Sequence, residues 1–388
     1  MLGSCQSPRC ANQLSLLLCH FCDGSLVGAA PGKLLVLHAV EMNSEAIARQ
    51  LNRLMIDRFV EKGVIVSARV ENAFRSVLRH HFLPREFSFG TVYNDDAIVV
   101  KRSDERRQSI GLTNESSSTM PSLLARILES AEIATGMNVL QIGTGPGYLA
   151  GLLSKLVGDS GEVTTVEIDR ELSLAAAERF EELNLGNVHA ICDDGYSGYA
   201  EHRPYDRIIV TASCTSPSPT WAAQLREGGS LFFPLALTQC AAYYPMVGLW
   251  KRGDRLVGNV ILGLERVGFV PIRRHESGAM VEYSEAVRDI QQVIWSRIFE
   301  AGYRGTKAGG AVLFTTFELA RRIEKGDEHF IETETHAIVD ALLESWSKAD
   351  EPTVEEFVLS VLPLGASDTS CGWRFERDDR IVEIYMKS

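Results

Sequence analysis

The stretch Val139-Leu140-Gln141-Ile142-Gly143-Thr144-Gly145-Pro146-Gly147-Tyr148 restricts the fold more than any other part of the chain. A run suited to a buried strand enters three glycines at alternate positions, and a helix-forming segment, Tyr148–Leu156, follows directly. Glycines allow backbone conformations that side chains forbid, and they let the main chain approach a ligand closely. A helix starting there presents free N–H groups and a partial positive charge. Around this turn, β-rich runs at Val139–Ile142, Val163–Glu167, Val188–Cys192, Arg207–Thr211 and Ser230–Phe233 alternate with helical stretches, the clearest being Glu171–Leu183. That alternation predicts a parallel, doubly wound α/β sheet. In such sheets, a turn at a strand C-terminus is where ligands bind.

The glycine spacing narrows the ligand. A dinucleotide fingerprint is Gly-x-Gly-x-x-Gly, whereas here the third glycine comes one residue early, as Gly143-x-Gly145-x-Gly147. This form has no pyrophosphate to hold and points to S-adenosylmethionine, with S-adenosylhomocysteine as product, rather than to a nicotinamide dinucleotide. The second strand ends in Glu167, placed to accept hydrogen bonds from two ribose hydroxyls. The third ends in Cys192-Asp193-Asp194-Gly195, where an acid can receive an adenine amino group. The cofactor-binding candidates are therefore Gly143, Thr144, Gly145, Gly147, Glu167, Asp194 and Gly195. Taken singly, a glycine turn can serve only to turn the chain, and an acid at a strand end is usually solvated. Two acids after successive strands, behind such a turn, are harder to dismiss.

Upstream, Ile47, Leu51, Leu54, Met55, Phe59 and Val60 recur at helical spacing from Asn43 to Lys62, and Gly63 ends the run. A second helix follows Ser67. Residues 103–120 are polar and predict a loop, and Pro121 then opens a helix. Nothing patterned precedes Met42, so residues 1–41 are expected to be a disordered or non-native extension. Four of the eight cysteines, Cys5, Cys10, Cys19 and Cys22, crowd into that segment. It offers too little to fold around for a four-thiolate zinc site to be expected, and no other metal site is predicted. The scattered Cys192, Cys214, Cys240 and Cys371 suit reduced thiols in a cytoplasm. Further strands are predicted at Tyr244–Lys251 and Leu256–Leu264, helices at Glu285–Glu300 and Thr335–Lys348, and strand-like alternation over Trp373–Met386. Residues 275–388 hold 22 acidic against 12 basic side chains, so they carry most of the net charge of −12. That balance excludes a general nucleic-acid binder, and no apolar run reaches the roughly 18 residues of a membrane span.

Several longer stretches carry a resemblance. They are Arg69-Val70-Glu71-Asn72-Ala73-Phe74-Arg75 with His81-Phe82-Leu83-Pro84, the glycine turn itself, and Val166-Glu167-Ile168-Asp169. Asp194-Gly195-Tyr196, Tyr205–Ala212 and Leu225-Arg226-Glu227-Gly228-Gly229 continue the series. In this order, over 42–274, the sequence resembles the protein-L-isoaspartate O-methyltransferase family. The resemblance implies a Rossmann-like S-adenosylmethionine-dependent methyltransferase sheet with N-terminal helices and a cofactor core at 136–235. An extra C-terminal α+β domain at 275–388, possessing a peptide-binding role, is expected beyond it. The family's substrate-contacting Ser or Thr falls on Thr119, with Ser116, Ser117 and Ser118 beside it.

The sequence departs from the family in three places. Gln141 replaces the usual Glu, Asp193-Asp194-Gly195 replaces Gly-Asp-Gly, and Ser116–Thr119 replaces Gln-Thr-Ile-Ser. Long forms of this kind resemble methyltransferases paired with ATP-grasp (graspetide) or lanthipeptide maturases. Those esterify an aspartate in a cyclised, ribosomally made precursor peptide, and the ester can collapse to a succinimide (aspartimide). The implied partner is such an Asp- or isoAsp-bearing peptide, with no nucleic acid and no membrane. General isoaspartyl repair is the alternative within the class, and a cofactor-holding adaptor or peptide-binding module is the alternative outside it. A carboxylate is already ionised at neutral pH, so the expected chemistry needs alignment rather than a general base.

Overall fold

The computed structural model describes residues 30–102, 114–236, 244–274, 296–298, 303, 305–324, 335–363, 372–377 and 380–386. Two compact units result, Met1–Ile47 and Ala48–Ser388. Helix α1 spans Ala30–Glu61, so it begins at Ala30, ahead of the helix start expected near Met42. That expectation rested on apolar periodicity alone. The segment Lys33–Val40 has helix-forming residues without a single apolar face, so propensity and not periodicity marks it. The early cysteines lie outside the described residues.

In the second unit, α2 (Ala68–Ser76) is capped by Ser67, whose hydroxyl accepts the Val70 N–H. Strands β1 (Ile98–Arg102) and β2 (Asn114–Ser118) form an antiparallel pair, with Ile98 opposite Ser118 and Val99 opposite Ser117. The serine run expected to be loop is therefore strand up to Ser118; residues 103–113 are outside the described set. Helix α3 (Pro121–Ala131) leads into the main sheet. Its parallel part comprises β3 (Asn138–Ile142), β4 (Glu162–Glu167), β5 (Val188–Cys192), β6 (Tyr205–Val210) and β7 (Leu225–Pro234). Helices α4 (Tyr148–Val157) and α5 (Arg170–Glu182) make the first crossovers.

Strand β3 pairs with β4 on one side and β6 on the other. From β3 the chain therefore fills one half of the sheet and then returns to fill the other, so the switch point lies at the C-terminal end of β3. Ligands of open α/β sheets bind at that position. Val139, Leu140 and Ile142 are buried because layers cover both faces there.

Beyond β7 the sheet turns antiparallel through β8 (Met246–Arg252) and β9 (Arg255–Val260), joined at a turn around Gly253. Helices α7 (Gly305–Glu324) and α8 (Thr335–Lys348) precede β10 (Phe357–Pro363), β11 (Trp373–Arg377) and β12 (Arg380–Met386), with α6 being the short Pro219–Gln224. Strand β10 pairs with β9, so the strand order is β11-β12-β10-β9-β8-β7-β6-β3-β4-β5. One buried cluster contains Leu140, Ile208 and Leu249 together with Phe317, Trp346, Phe357 and Trp373. The division drawn at 274/275 thus falls inside one sheet and one core. The helix expected at Glu285–Glu300 lies outside the described residues except for 296–298, which are helical. Among the described residues, no helix is long and apolar enough to cross a membrane.

Phe357 has no exposure and meets Phe317 edge-on at 5.6 Å. Phe357→Ala is expected to destabilise the second unit by about 3–5 kcal/mol. Denaturant unfolding, followed by tryptophan fluorescence and by cofactor-analogue binding, should shift both probes together. A shift in only one probe would mean that the C-terminal strands unfold independently.

Candidate active site

The turn after β3 is built from backbone that only glycine adopts easily: φ is 89° at Gly143, 53° at Gly145 and 95° at Gly147. A Cβ at Gly143 would lie 2.8 Å from Thr211 Oγ1, and one at Gly147 would lie 2.8 Å from the Phe180 ring. Thr144 is buried, and its hydroxyl is 2.8 Å from that of Thr165 on β4. Glu167, buried at the end of β4, accepts the Gly145 N–H at 2.9 Å and the Asp169 N–H at 3.1 Å. The Arg273 guanidinium stands 3.8 Å from the same carboxylate. Asp169 in turn caps α5 and binds Lys101 of β1 at 2.7 Å.

Gln141 is buried beneath the turn and donates from Nε2 to the Gly143 carbonyl at 2.8 Å, a carbonyl that Thr211 also bonds at 2.9 Å. A carboxylate at 141 could not make this donation, so the Gln replaces an anionic contact with a bond that holds the turn. Gln141 Oε1 is buried without a hydrogen-bond partner among the described residues. Asp194 uses its carboxylate to accept the Tyr196 N–H at 2.9 Å. It supports Gly195, which lines the cleft, while Asp194 itself is not part of the lining. A Cβ at Gly195 would collide with Ile142 at 2.6 Å.

The cleft has a volume of about 820 Å³ and is lined on one side by Gly143–Pro146, Glu167, Gly195 and Thr211. Ser116, Ser117, Ser118 and Thr119 line it as well. Ser116 Oγ lies 3.4 Å from the position a Cβ of Gly145 would take, so the serine strand and the glycine turn adjoin. Ser116 and Ser118 are buried, whereas Ser117 and Thr119 are half-buried.

Behind the strand sits Arg79, with no exposure. Its Nη2 donates to Ser118 O at 3.2 Å and Thr119 O at 3.1 Å, and Nε and Nη2 both reach Ser118 Oγ. It also bonds the carbonyls of Val92 and Asp96, both at 3.0 Å. Its guanidinium lies 6.0 Å from the centre of the Tyr148 ring. Burial lowers the Arg79 pKa, yet a guanidinium keeps its charge. The Ser118 hydroxyl is therefore engaged by Arg79. Sequence reasoning missed Arg79, Thr211 and the cleft wall at 263–273, which supplies Arg266 and Arg273. Arg79 had one local signal, a charged residue directly after the apolar pair Val77-Leu78.

Arg79→Lys keeps the charge but offers three donors in place of five. Loss of charge-assisted bonds worth about 1.5–3 kcal/mol is expected to speed amide exchange at Ser117–Thr119 by about tenfold or more. Exchange at Gly143–Gly147 should stay unchanged. Equal acceleration in both segments would make Arg79 a general support of the fold and not of this strand.

Comparison with known proteins places these features. A sequence profile of the protein-L-isoaspartate(D-aspartate) O-methyltransferase family matches residues 49–277. The chain is 36% identical to a Thermotoga maritima protein-L-isoaspartate O-methyltransferase over 194 residues, 50% of this chain and 58% of that relative. It is 32% identical to the Pyrobaculum neutrophilum protein of the same name over 220 residues, 56% of this chain and 97% of that relative. A solved structure named protein-L-isoaspartate O-methyltransferase matches with a TM-score of 0.56 at 22% identity, covering 87% of this chain and 100% of that one. This is more of the chain than residues 1–277 contain, so the likeness in fold extends into the C-terminal segment. The Rossmann-like methyltransferase sheet, the glycine turn at its switch point and the match over 49–277 agree: the chain belongs to the protein-L-isoaspartate O-methyltransferase family of S-adenosylmethionine-dependent enzymes.

Proposed function

We propose that the chain is an S-adenosylmethionine-dependent carboxyl O-methyltransferase acting on an aspartyl or isoaspartyl side chain of a peptide. The observation that carries this reading is the shared cleft, in which the hydroxyl-bearing strand Ser116–Thr119 adjoins the glycine turn. The residues fit the cofactor. An added Cβ at Gly145 would stand 3.4 Å from Ser116 Oγ, between the turn and the serine strand, Gln141 keeps a buried acceptor unused, and Glu167 ends β4 as a buried acid. Gly143, Thr144 and Gly145, backed by Gly147 at the start of α4, would hold the methionine part, Glu167 the ribose, and Gly195, backed by Asp194, the adenine. When bound, the cofactor supplies an electrophilic methyl group on a sulfonium.

The chain's own residues supply alignment. A substrate carboxylate, with a pKa of about 4, is ionised at neutral pH and needs no base. Thr119 and Ser117 donate hydrogen bonds to its oxygens, and Arg79 fixes Thr119 through the backbone. Leu123, Leu124, Val267 and Phe269 line the cleft and limit water. Holding reactants in line in this way can supply a large part of the rate.

The finer reading is that the substrate is a cyclised, ribosomally made precursor peptide of graspetide or lanthipeptide type. Its ester would collapse when the following backbone nitrogen attacks the carbonyl carbon and methanol leaves, giving a succinimide. Support comes from the rewritten Ser116–Thr119 run, which changes the substrate wall while the cofactor turn keeps the family pattern. General isoaspartyl repair is supported by the family match and by the likeness in fold that reaches into the C-terminal segment. The adaptor alternative is disfavoured by the intact glycine turn and Glu167.

Transfer of labelled methyl to peptides, followed by base release of volatile methanol, tests both levels. The expected result is base-labile label on a constrained Asp-containing precursor at a rate at least about tenfold above that on a linear isoaspartyl peptide. Ready methylation of linear isoaspartyl peptides would favour repair, and base-stable label would contradict carboxyl transfer.

A further inference from the structure

Among the described residues, the charged side chains lining the cleft are Arg126, Arg266, Arg273 and Glu167, three cations and one acid in a protein of net charge −12. Arg273 and Glu167 lie 3.8 Å apart and offset each other at the cofactor end. Arg126 is different. It is half-buried on α3, and among the described residues its side chain makes no ion pair and no hydrogen bond. The loop 263–266 shelters it: a Cβ on Gly263 would lie 3.4 Å from Arg126 Nη1. Glu265 of that loop is engaged with the Gly263 N–H at 2.8 Å. A partly desolvated cation without a counter-ion is unfavourable, so a ligand that brings the counter-charge would gain by docking there.

The position relative to the reacting group follows from helix geometry. Helix α3 starts at Pro121, two residues after Thr119. Arg126 lies about 8 Å further along its axis, and helical side chains lean back toward the N-terminus. An extended peptide advances about 3.4 Å per residue. A carboxylate that meets Arg126 therefore belongs to a side chain two or three residues from the one held at Thr119.

We propose that Arg126 forms a second anion subsite that selects substrates carrying an acidic residue two or three positions from the methylated one. This rests on the carboxyl-transfer reading above and adds a determinant of peptide choice to it. The subsite acts on binding, so its effect falls on KM and not on kcat.

Binding of fluorescent isoaspartyl peptides to the full chain with S-adenosylhomocysteine present tests it by anisotropy, with methyl transfer read in parallel. Peptides carrying Glu two or three residues before or after the isoaspartate are compared with Gln versions. Glu at one of these positions should tighten binding by about fivefold to tenfold, with the advantage shrinking as salt rises. Arg126→Gln should remove the advantage while leaving the Gln peptide and S-adenosylhomocysteine bound as before, and Arg126→Lys should restore part of it. Absence of a charge preference in the unmodified protein would overturn the proposal, as would a preference that survives in Arg126→Gln. Equal weakening of Glu and Gln peptides by Arg126→Gln would also overturn it, placing Arg126 on the reacting carboxylate instead. Charge-selective, Arg126-dependent binding without methyl transfer would support the subsite and contradict the function proposed above.

Discussion

The buried carboxylate of Glu167 accepts two backbone N–H groups, from Gly145 and Asp169, and so joins the turn after β3 to the cap of α5. A buried acid is costly unless its oxygens are satisfied, and these bonds satisfy it while fixing the turn. The network continues outward, because Asp169 binds Lys101 of β1, the strand that pairs with the serine strand. A single line of contacts thus runs from the glycine turn to the opposite wall of the cleft. The glycines at 143, 145 and 147 allow the backbone to come close enough for this arrangement, and Thr211 and Gln141 hold the Gly143 carbonyl from below.

The two walls are built by different means. Strand ends and left-handed glycines shape the cofactor wall, so its residues are tightly prescribed. The facing wall is the antiparallel pair β1–β2, irregular in register and held from behind by Arg79 through the carbonyls of Ser118 and Thr119. A carbonyl is present whatever the side chain. This physical arrangement allows the run at 116–119 to depart from the family pattern while its backbone stays in place.

Much of the fold was legible because it rests on local pattern. The strands at 139–142, 163–167 and 188–192 and the helix at 335–348 follow from apolar runs and periodicity. The glycine spacing and the acid at 167 pointed to the turn after β3 and the end of β4, which line one cleft. Pairings between distant segments were not legible. Asn114–Ser118 contains poor strand formers and is a strand because Ile98–Arg102 lies beside it. Strand β10 joins β9 through pairings of residues just over a hundred positions apart, so a change in charge at 275 does not mark a break in the sheet. Arg79 and Arg126 act through burial, which one sequence cannot reveal: a lone arginine on an amphipathic helix reads as a solvated face.

Titration calorimetry with S-adenosylhomocysteine tests the central role of Glu167 most directly. One equivalent should bind, and Glu167→Gln, which keeps an acceptor for Gly145 but loses the charge, should weaken binding by about 1.5–3 kcal/mol, roughly tenfold to a hundredfold or more. Unchanged affinity in a folded Glu167→Gln protein would contradict the assignment of this acid to the cofactor.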